Sequence, residues 1–94
     1  MMTMHDWLLI SISMDWDLGR LTVELRDSAS TVRVVTAVGV RNLQVPKETP
    51  WGPSNSVNSS SIEVLPAGTK RLQIEMQSGD VIEVVAEQLS IPTE

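Results

Sequence analysis

The stretch Arg20-Leu-Thr-Val-Glu-Leu-Arg26 decides the fold class of this chain. Its apolar residues Leu21, Val23 and Leu25 alternate strictly with polar ones, so every second side chain points the same way in an extended backbone. A period of two is typical of a β-strand with one buried face and one face in water. The stretch therefore predicts a half-buried strand, and several other segments of the chain repeat its pattern.

Other segments with the same period predict further strands. Residues 70–76 alternate in the same way as residues 20–26. The apolar side chains that share one side are Ile82, Val84 and Ala86 in residues 81–89, Leu8, Ile10, Ile12 and Met14 in residues 8–14, and Val32, Val34 and Val38 in residues 31–38. Gly39 is expected to bend or bulge the last of these strands before it continues. A short strand is also predicted over residues 61–65.

Turn signals separate the predicted strands at the spacing of β-hairpins. Residues 15–19, 27–30, 66–69 and 77–80 contain the Asp, Ser, Pro and Gly that turns favour. Connections of about two to five residues are too short for a crossover helix, so neighbouring strands should be antiparallel. About six or seven such strands can bury their apolar faces only if two sheets pack together or one sheet curls. We therefore predict one all-β domain over residues 1–94, either a small sandwich or a strongly curled, partly open barrel.

The composition limits the range of functions. The 94 residues carry a net charge of -5 and contain no Cys, which excludes disulfides, thiolate nucleophiles and zinc–thiolate sites. An acidic chain repels phosphate backbones, so we expect no nucleic-acid partner. The apolar run near the N-terminus is too short to cross a bilayer and lacks the basic start of a secretory signal. We expect a cytoplasmic location and no membrane partner.

The last third of the chain is acidic. From Leu72 onwards there are five acidic residues and no Lys or Arg, and Glu75, Glu83 and Glu87 lie on the outward sides of predicted strands. Outward carboxylates keep a small β protein in solution. They also form a surface suited to a basic protein partner. Both interpretations stay open at the level of the sequence.

Catalytic and metal-binding patterns are incomplete. His5-Asp6 is like the start of the motif of metal-dependent phosphohydrolases, but the chain has one His and no predicted helix for the remaining ligands. The pattern Asp15-x-Asp17-x-Gly19 lacks the later oxygen ligands of a calcium loop. No G-x-S-x-G motif or phosphate-binding glycine loop is present. The sequence therefore predicts no enzymatic activity, no cofactor and no metal.

The three tryptophans are the only aromatic residues. Trp7 opens the first predicted strand and Trp16 lies in the turn that ends it, so capping the two ends of the core is one role for both. Binding a partner is the alternative for Trp16. Trp51 stands between Pro50 and Pro53 in a long irregular segment at about residues 46–60. Because these prolines stiffen the backbone, Trp51 is expected either to plug the core or to anchor a partner.

Several short motifs carry a resemblance to a protein family. They are His5-Asp6, Gly39-Val40, Trp51-Gly52-Pro53-Ser54 and Leu72-x-Ile74-x-Met76-x-Ser78-Gly79-Asp80. In this order they resemble a set of small bacterial all-β proteins of unknown function, some of which are similar to immunity proteins of bacterial toxin systems. The resemblance implies a compact β domain and a protein–protein role, and it transfers no active site.

Three functions follow as expectations. The first is a non-enzymatic protein-binding module, in particular an immunity-type inhibitor, with Trp16, Trp51, Glu75, Glu83 and Glu87 as its partner-binding residues. The second is a small-ligand carrier with a cavity inside a curled sheet. The third is a structural subunit in which copies of the chain pair through strand edges as a homo-oligomer. The residues His5, Asp6, Trp7, Gly39 and Gly79 are expected to have structural roles.

Overall fold

The computed structural model describes residues 4–47 and 56–91, which form one antiparallel β-sheet without a helix. The six strands are β1 (Leu8–Asp15), β2 (Arg20–Arg26), β3 (Val32–Gln44), β4 (Val57–Val64), β5 (Lys70–Met76) and β6 (Val81–Ser90). Their order in the sheet is β1-β2-β3-β6-β5-β4, and every neighbouring pair is antiparallel. The prediction of an all-β fold built from antiparallel strands is confirmed.

The sheet consists of two three-stranded meanders that meet along β3 and β6. Short turns join β1 to β2 and β2 to β3 in one meander. Short turns likewise join β4 to β5 and β5 to β6 in the other. The connection from β3 to β4 instead runs from the middle of the sheet to its edge. Strand β3 pairs with β2 over residues 32–38 and with β6 over residues 36–44, so it belongs to both halves.

Gly39 marks the point at which β3 passes from one meander to the other. Its φ of 69° lies in the left-handed region, which glycine adopts without steric cost. Ala37 and Val40 both pack in the core although they are an odd number of positions apart in the sequence, so the period of two is broken here. A register shift between Val40 and Asn42 follows. The bend or bulge predicted at Gly39 is therefore present.

The sheet curls until its two edge strands touch at one corner. Leu8 of β1 forms an isolated antiparallel bridge with Ser56, just before β4. Beside it the Val57 amide donates to the Trp7 carbonyl over 2.8 Å. In a flat sheet six strands would hold the edges about 24 Å apart, so these contacts require strong curling. The rest of β1 and β4 do not pair with each other, and the sheet is not closed into a barrel.

The inner face of the curled sheet and the segment before β1 supply the core. The buried apolar side chains are Met4, Trp7, Leu9, Leu21, Val23, Leu25, Val35, Ala37, Val57, Leu72, Ile74, Met76, Ile82, Val84 and Ala86. All six strands contribute, and the inward residues predicted for β2, β5 and β6 are among them. A single curled sheet therefore encloses the core, which is the second of the two predicted architectures.

Strand β1 departs from its predicted pattern at Ile10. A register shift between Leu9 and Ser11 places an additional residue opposite β2, which is the geometry of a β-bulge. Leu9 is therefore buried and Ile10 exposed, whereas Ile12 beyond the bulge packs against the core. The predicted common face of Ile10 and Ile12 is wrong, because the additional residue reverses the alternation.

Strands β3 and β4 also differ from the segments predicted for them. In β3 the buried residues are Val35 and Ala37, and the row of Val32, Val34 and Val38 faces outwards and is exposed. Strand β4 begins at Val57, inside the segment predicted as irregular. Its run of Asn and Ser has no apolar period, so only its pairing with β5 reveals a strand.

Candidate partner-binding surface

The turn between β1 and β2 presents Trp16 to solvent. Its side chain is 83% exposed, whereas Trp7, at the other end of β1, is only 4% exposed. A capping role in the core therefore fits Trp7, and the same role for Trp16 is wrong. The turn carries the Trp16 ring away from the sheet and leaves a large apolar group uncovered.

Backbone hydrogen bonds hold this turn in place. The Gly19 amide donates to the Trp16 carbonyl over 3.3 Å, and the Leu18 amide donates to Asp15 Oδ1 over 3.2 Å. The Val40 amide donates to the Gly19 carbonyl over 3.0 Å and so ties the turn to β3. The exposed ring of Trp16 thus stands on a backbone that is anchored at several points.

An open cleft of about 570 Å3 lies beside Trp16. Its walls are formed by Ser13, Met14, Asp15, Trp16, Asp17, Arg20 and Thr22. Asp15 and Arg20 face each other across the strand pair, but no ion pair joins Arg20 to any of the described residues. The cleft therefore offers an aromatic ring, carboxylates and a guanidinium group within one depression of the surface.

Exposed apolar side chains extend this region. Leu18 lies in the same turn as Trp16, and Val38 is directly opposite Arg20 on the outer face of β3. We call the surface formed by Trp16, Leu18, Arg20 and Val38 the hairpin surface. The sequence interpretation missed all of these residues except Trp16. The apolar Leu18 in an otherwise polar turn was the available signal.

Glu87 adjoins the hairpin surface through Gly39. Its carboxylate occupies the space that a β-carbon at Gly39 would need, and a β-carbon at Gly19 would lie 4.0 Å from the Gly39 Cα atom. Arg41 Nη2 donates to Glu87 Oε1 over 2.6 Å, and both side chains are largely exposed. The structure therefore brings one of the three predicted acidic residues close to the turn that holds Trp16.

Glu75 and Glu83 lie farther along the outer face of β5 and β6. Glu75 Oε1 accepts hydrogen bonds from Asn58 Nδ2 over 3.0 Å and from Ser59 Oγ over 3.1 Å. Glu83 Oε1 accepts one from Gln73 Nε2 over 3.1 Å. Side chains of the chain itself therefore satisfy part of the hydrogen-bonding capacity of these carboxylates.

Arg71 is the cation among these carboxylates. Its Nη1 donates to Glu63 Oε1 over 2.8 Å, and its buried Nε lies 3.6 Å from Glu83 Oε1, beyond hydrogen-bonding distance. We call the carboxylates of Glu63, Glu75, Glu83 and Glu87 the acidic surface. Arg41 and Arg71 neutralise only part of it, so its net charge is negative.

His5 and Asp6 fasten the N-terminal segment to the sheet. His5 Nδ1 donates to the Asn58 carbonyl over 2.8 Å, and Asp6 Oδ1 accepts from Gln77 Nε2 over 2.8 Å. Asp6 adopts a φ of 67° to reach this position. In the described ranges no group of three or more His, Asp or Glu residues could hold a metal ion. The geometry is that of a structural clamp.

Gly79 has a structural role in the turn between β5 and β6. Its φ is 98°, and its amide donates to the Met76 carbonyl over 2.9 Å. Left-handed backbone of this kind favours glycine. Trp51, the remaining predicted binding residue, lies outside the described residues, so the choice between plug and anchor stays a prediction.

Comparisons with family models, curated proteins and solved structures found no match to this chain. The resemblance to immunity proteins therefore stays a prediction that depends on the short motifs alone. Across residues 4–47 and 56–91 no helix is long and apolar enough to cross a membrane.

Proposed function

We propose that this chain is a non-enzymatic protein-binding module that docks through the hairpin surface. The observation that carries the proposal is the 83% exposure of Trp16. Tryptophan is among the residues that dominate binding energy at protein interfaces, because it buries a large apolar area with few rotatable bonds. A chain with three aromatic residues that leaves one of them uncovered has a ready anchor for a partner.

The anchored turn supports this function. The bonds from Gly19 and Leu18 within the turn, and from Val40 to the turn, fix the backbone that carries Trp16. Docking then costs little additional backbone entropy, which raises affinity without adding contacts. The cleft beside the ring supplies Arg20, Asp15 and Asp17 as polar groups around the apolar anchor. This combination of an apolar centre and a polar rim is typical of protein interfaces.

The particular form that we propose is an immunity-type inhibitor of a basic protein in the bacterial cytoplasm. The net charge of -5 and the acidic surface support it, since opposite charges speed the encounter of two proteins. Glu87 lies beside Gly39, close to the turn of Trp16, so steering charges border the proposed anchor. The absence of an enzymatic role remains a prediction of the sequence.

The test is co-purification from a bacterial host that also expresses the neighbouring genes. We expect a basic partner to be captured by the wild-type chain and by Ile62→Ala, which also removes an exposed apolar side chain. The Trp16→Ala variant should capture at least about tenfold less, which corresponds to about 1.4 kcal/mol of binding free energy. Equal capture by Trp16→Ala and Ile62→Ala in a direct assay with the purified partner would contradict the proposal.

The ligand-carrier alternative has less support. A carrier requires an enclosed, mostly apolar cavity that buries its ligand. The cleft beside Trp16 is open to solvent and bears Asp15, Asp17 and Arg20. These charged groups suit a side chain of a partner protein better than an apolar ligand.

A further inference from the structure

Strand β4 forms one edge of the sheet. The segment before β1 covers only the start of this edge, where Trp7 and Leu8 bond to residues 56–57 and His5 bonds to the Asn58 carbonyl. From Ser59 to Val64, no described strand pairs with the edge of β4 that points away from β5. Among residues 4–47 and 56–91, no strand therefore occupies the backbone groups on that side.

This edge lacks the usual protection against pairing. Natural edge strands carry Lys, Pro or inward-pointing charges, or a bulge that interrupts the hydrogen-bonding row. Strand β4, Val57-Asn-Ser-Ser-Ser-Ile-Glu-Val64, contains neither Lys nor Pro. Its register shift lies between Val57 and Ser59, at the end that the N-terminal segment already covers. Its one charge, Glu63, points to the outer face and is paired with Arg71 over 2.8 Å.

Two apolar side chains at this edge are uncovered on the inner face. Ile62 is directly opposite the buried Leu72 and yet is 49% exposed, and Val64 is 69% exposed. Most apolar side chains on this face of the other strands pack in the core, whereas Val64 is opposite the partly buried Lys70. The sheet therefore ends at β4 with an apolar margin that its own described residues do not cover.

We propose that this margin is an interface between two copies of the chain, in which the β4 edges pair antiparallel about a two-fold axis. In a continuous sheet, directly opposite residues lie on the same face. An axis at Ile62 places Ile62 of one copy opposite Ile62 of the other, and Glu63 opposite Ser61. Apolar side chains then meet each other across the axis, and the only charge of the strand meets a hydroxyl group.

The charges favour this register. They also favour a second copy of the chain as the partner that pairs with the β4 edge. An axis one residue farther along, at Glu63, would set two carboxylates directly opposite each other, which is destabilising. For a chain with a net charge of -5, self-association is favourable only where the contact brings few unpaired acidic groups together. The stretch Ser59–Val64, with Glu63 already bound to Arg71, meets that condition. The pairing strand is short, so the dimer should be weak and dependent on concentration.

The test is sedimentation equilibrium of the full chain over a range of concentrations. The wild type should shift from monomer to dimer, and Ile62→Lys should raise the dissociation constant at least about tenfold, since two Lys residues would then face each other. Val34→Lys is the matched control, because it places the same charge on an exposed valine of β3, away from the edge. It should dimerise like the wild type, and thermal unfolding should verify that all three proteins are folded. A wild type that stays monomeric up to about 1 mM would overturn the proposal.

Cross-linking tests the register independently. The chain has no Cys, so Ile62→Cys introduces a single thiol. Opposite residues in an antiparallel pair have Cα atoms about 4.5–5.5 Å apart, within the range of a disulfide. Under mild oxidation Ile62→Cys should form covalent dimers much faster than Val34→Cys. Equal rates for the two variants would overturn the proposed axis. Because Trp16 lies on another surface, Trp16→Ala should leave dimerisation unchanged, which separates this inference from the proposed function.

Discussion

Gly39 and Glu87 lie against each other where the two meanders join, and a β-carbon on Gly39 would overlap the Glu87 carboxylate. The missing side chain thus has two consequences. It permits the left-handed backbone that turns β3, and it leaves room for Glu87 to reach Arg41. Since Gly39 also lies near Gly19, this contact links the bend of the sheet to the turn that presents Trp16.

Gly39→Ala should destabilise the protein more than a matched glycine substitution in a turn. A left-handed backbone costs an L-residue about 1–2 kcal/mol, and displacement of Glu87 from Arg41 adds to this loss. Gly68→Ala is the control, because Gly68 has a φ of 89° and a β-carbon added there would meet no described atom within 4 Å beyond its chain neighbours. Urea unfolding of both variants measures the difference in the free energy of unfolding. If both variants lose the same free energy of unfolding, the contact between Gly39 and Glu87 does not contribute to stability.

Truncation of the two described tryptophans should affect stability to very different extents. Trp7→Ala should lower the free energy of unfolding by about 3–5 kcal/mol, because it empties a buried site. Trp16→Ala should change it by less than about 0.5 kcal/mol, as is usual for exposed side chains. Chemical denaturation followed by far-ultraviolet circular dichroism provides the comparison without using tryptophan fluorescence. A large loss in Trp16→Ala would mean that the ring packs on the protein itself.

Asp27 should make stability depend on acid pH. Hydrogen bonds from the Thr31 amide, the largest cause, and from Arg33 lower the pKa of Asp27 below its ordinary value of 3.8. The carboxylate therefore stabilises the folded state fully above pH 3.8, and this contribution is lost as the pH falls through the lower folded-state pKa. The free energy of unfolding of the wild type should exceed that of Asp27→Asn by a constant amount near neutral pH. This difference should become smaller below pH 3.8.

Denaturation at several pH values tests this behaviour. Asp17→Asn is the control, since the Asp17 side chain forms no hydrogen bond or ion pair with the described residues. Because Asp17 is exposed, its substitution should change the free energy of unfolding at neutral pH by less than about 0.5 kcal/mol. A constant difference for Asp27→Asn down to about pH 2, which is about two units below the ordinary value, would contradict the role of the Thr31 and Arg33 bonds.

Neutralising the acidic surface should slow association with the proposed basic partner. Glu87→Gln removes the charge that borders the turn of Trp16 but keeps the side-chain length, so the association rate should fall while the dissociation rate changes little. Glu24→Gln, with the same charge change on the outer face of β2, should have a smaller effect. Stopped-flow kinetics at low salt and at about 1 M salt measure both rates, because salt screens steering. Equal effects of the two variants would assign the steering to net charge alone.

The inward faces of most strands could be predicted because alternation is a local property. Leu21 and Leu25 in β2, and Ile82 and Ala86 in β6, follow a strict period of two and are buried as predicted. The pattern was misleading where the backbone deviates from regular geometry. At Ile10 a bulge that depends on pairing with β2 reverses the alternation, and the sequence of β1 alone carries no sign of it.

The candidate surface was predicted only in part. The sequence allowed two roles for Trp16, capping the core or binding a partner. It could not decide between them. The direction of a turn side chain depends on how the hairpin packs, and here the Val40 amide holds the turn from β3. The neighbourhood of Trp16 and Val38 likewise follows from pairing between β2 and β3.

The sequence by itself determined most of the strands and the hairpin turns, because these depend on neighbouring residues. It also determined the acidic charge and the lack of cysteine chemistry, because these depend on composition alone. Only the tertiary structure decided that β3 pairs with β6, that the sheet curls until Leu8 meets Ser56, and that Trp16 points to solvent. These features join residues that are distant in the chain. Their energies depend on how the whole apolar area is buried at once, which no single segment encodes.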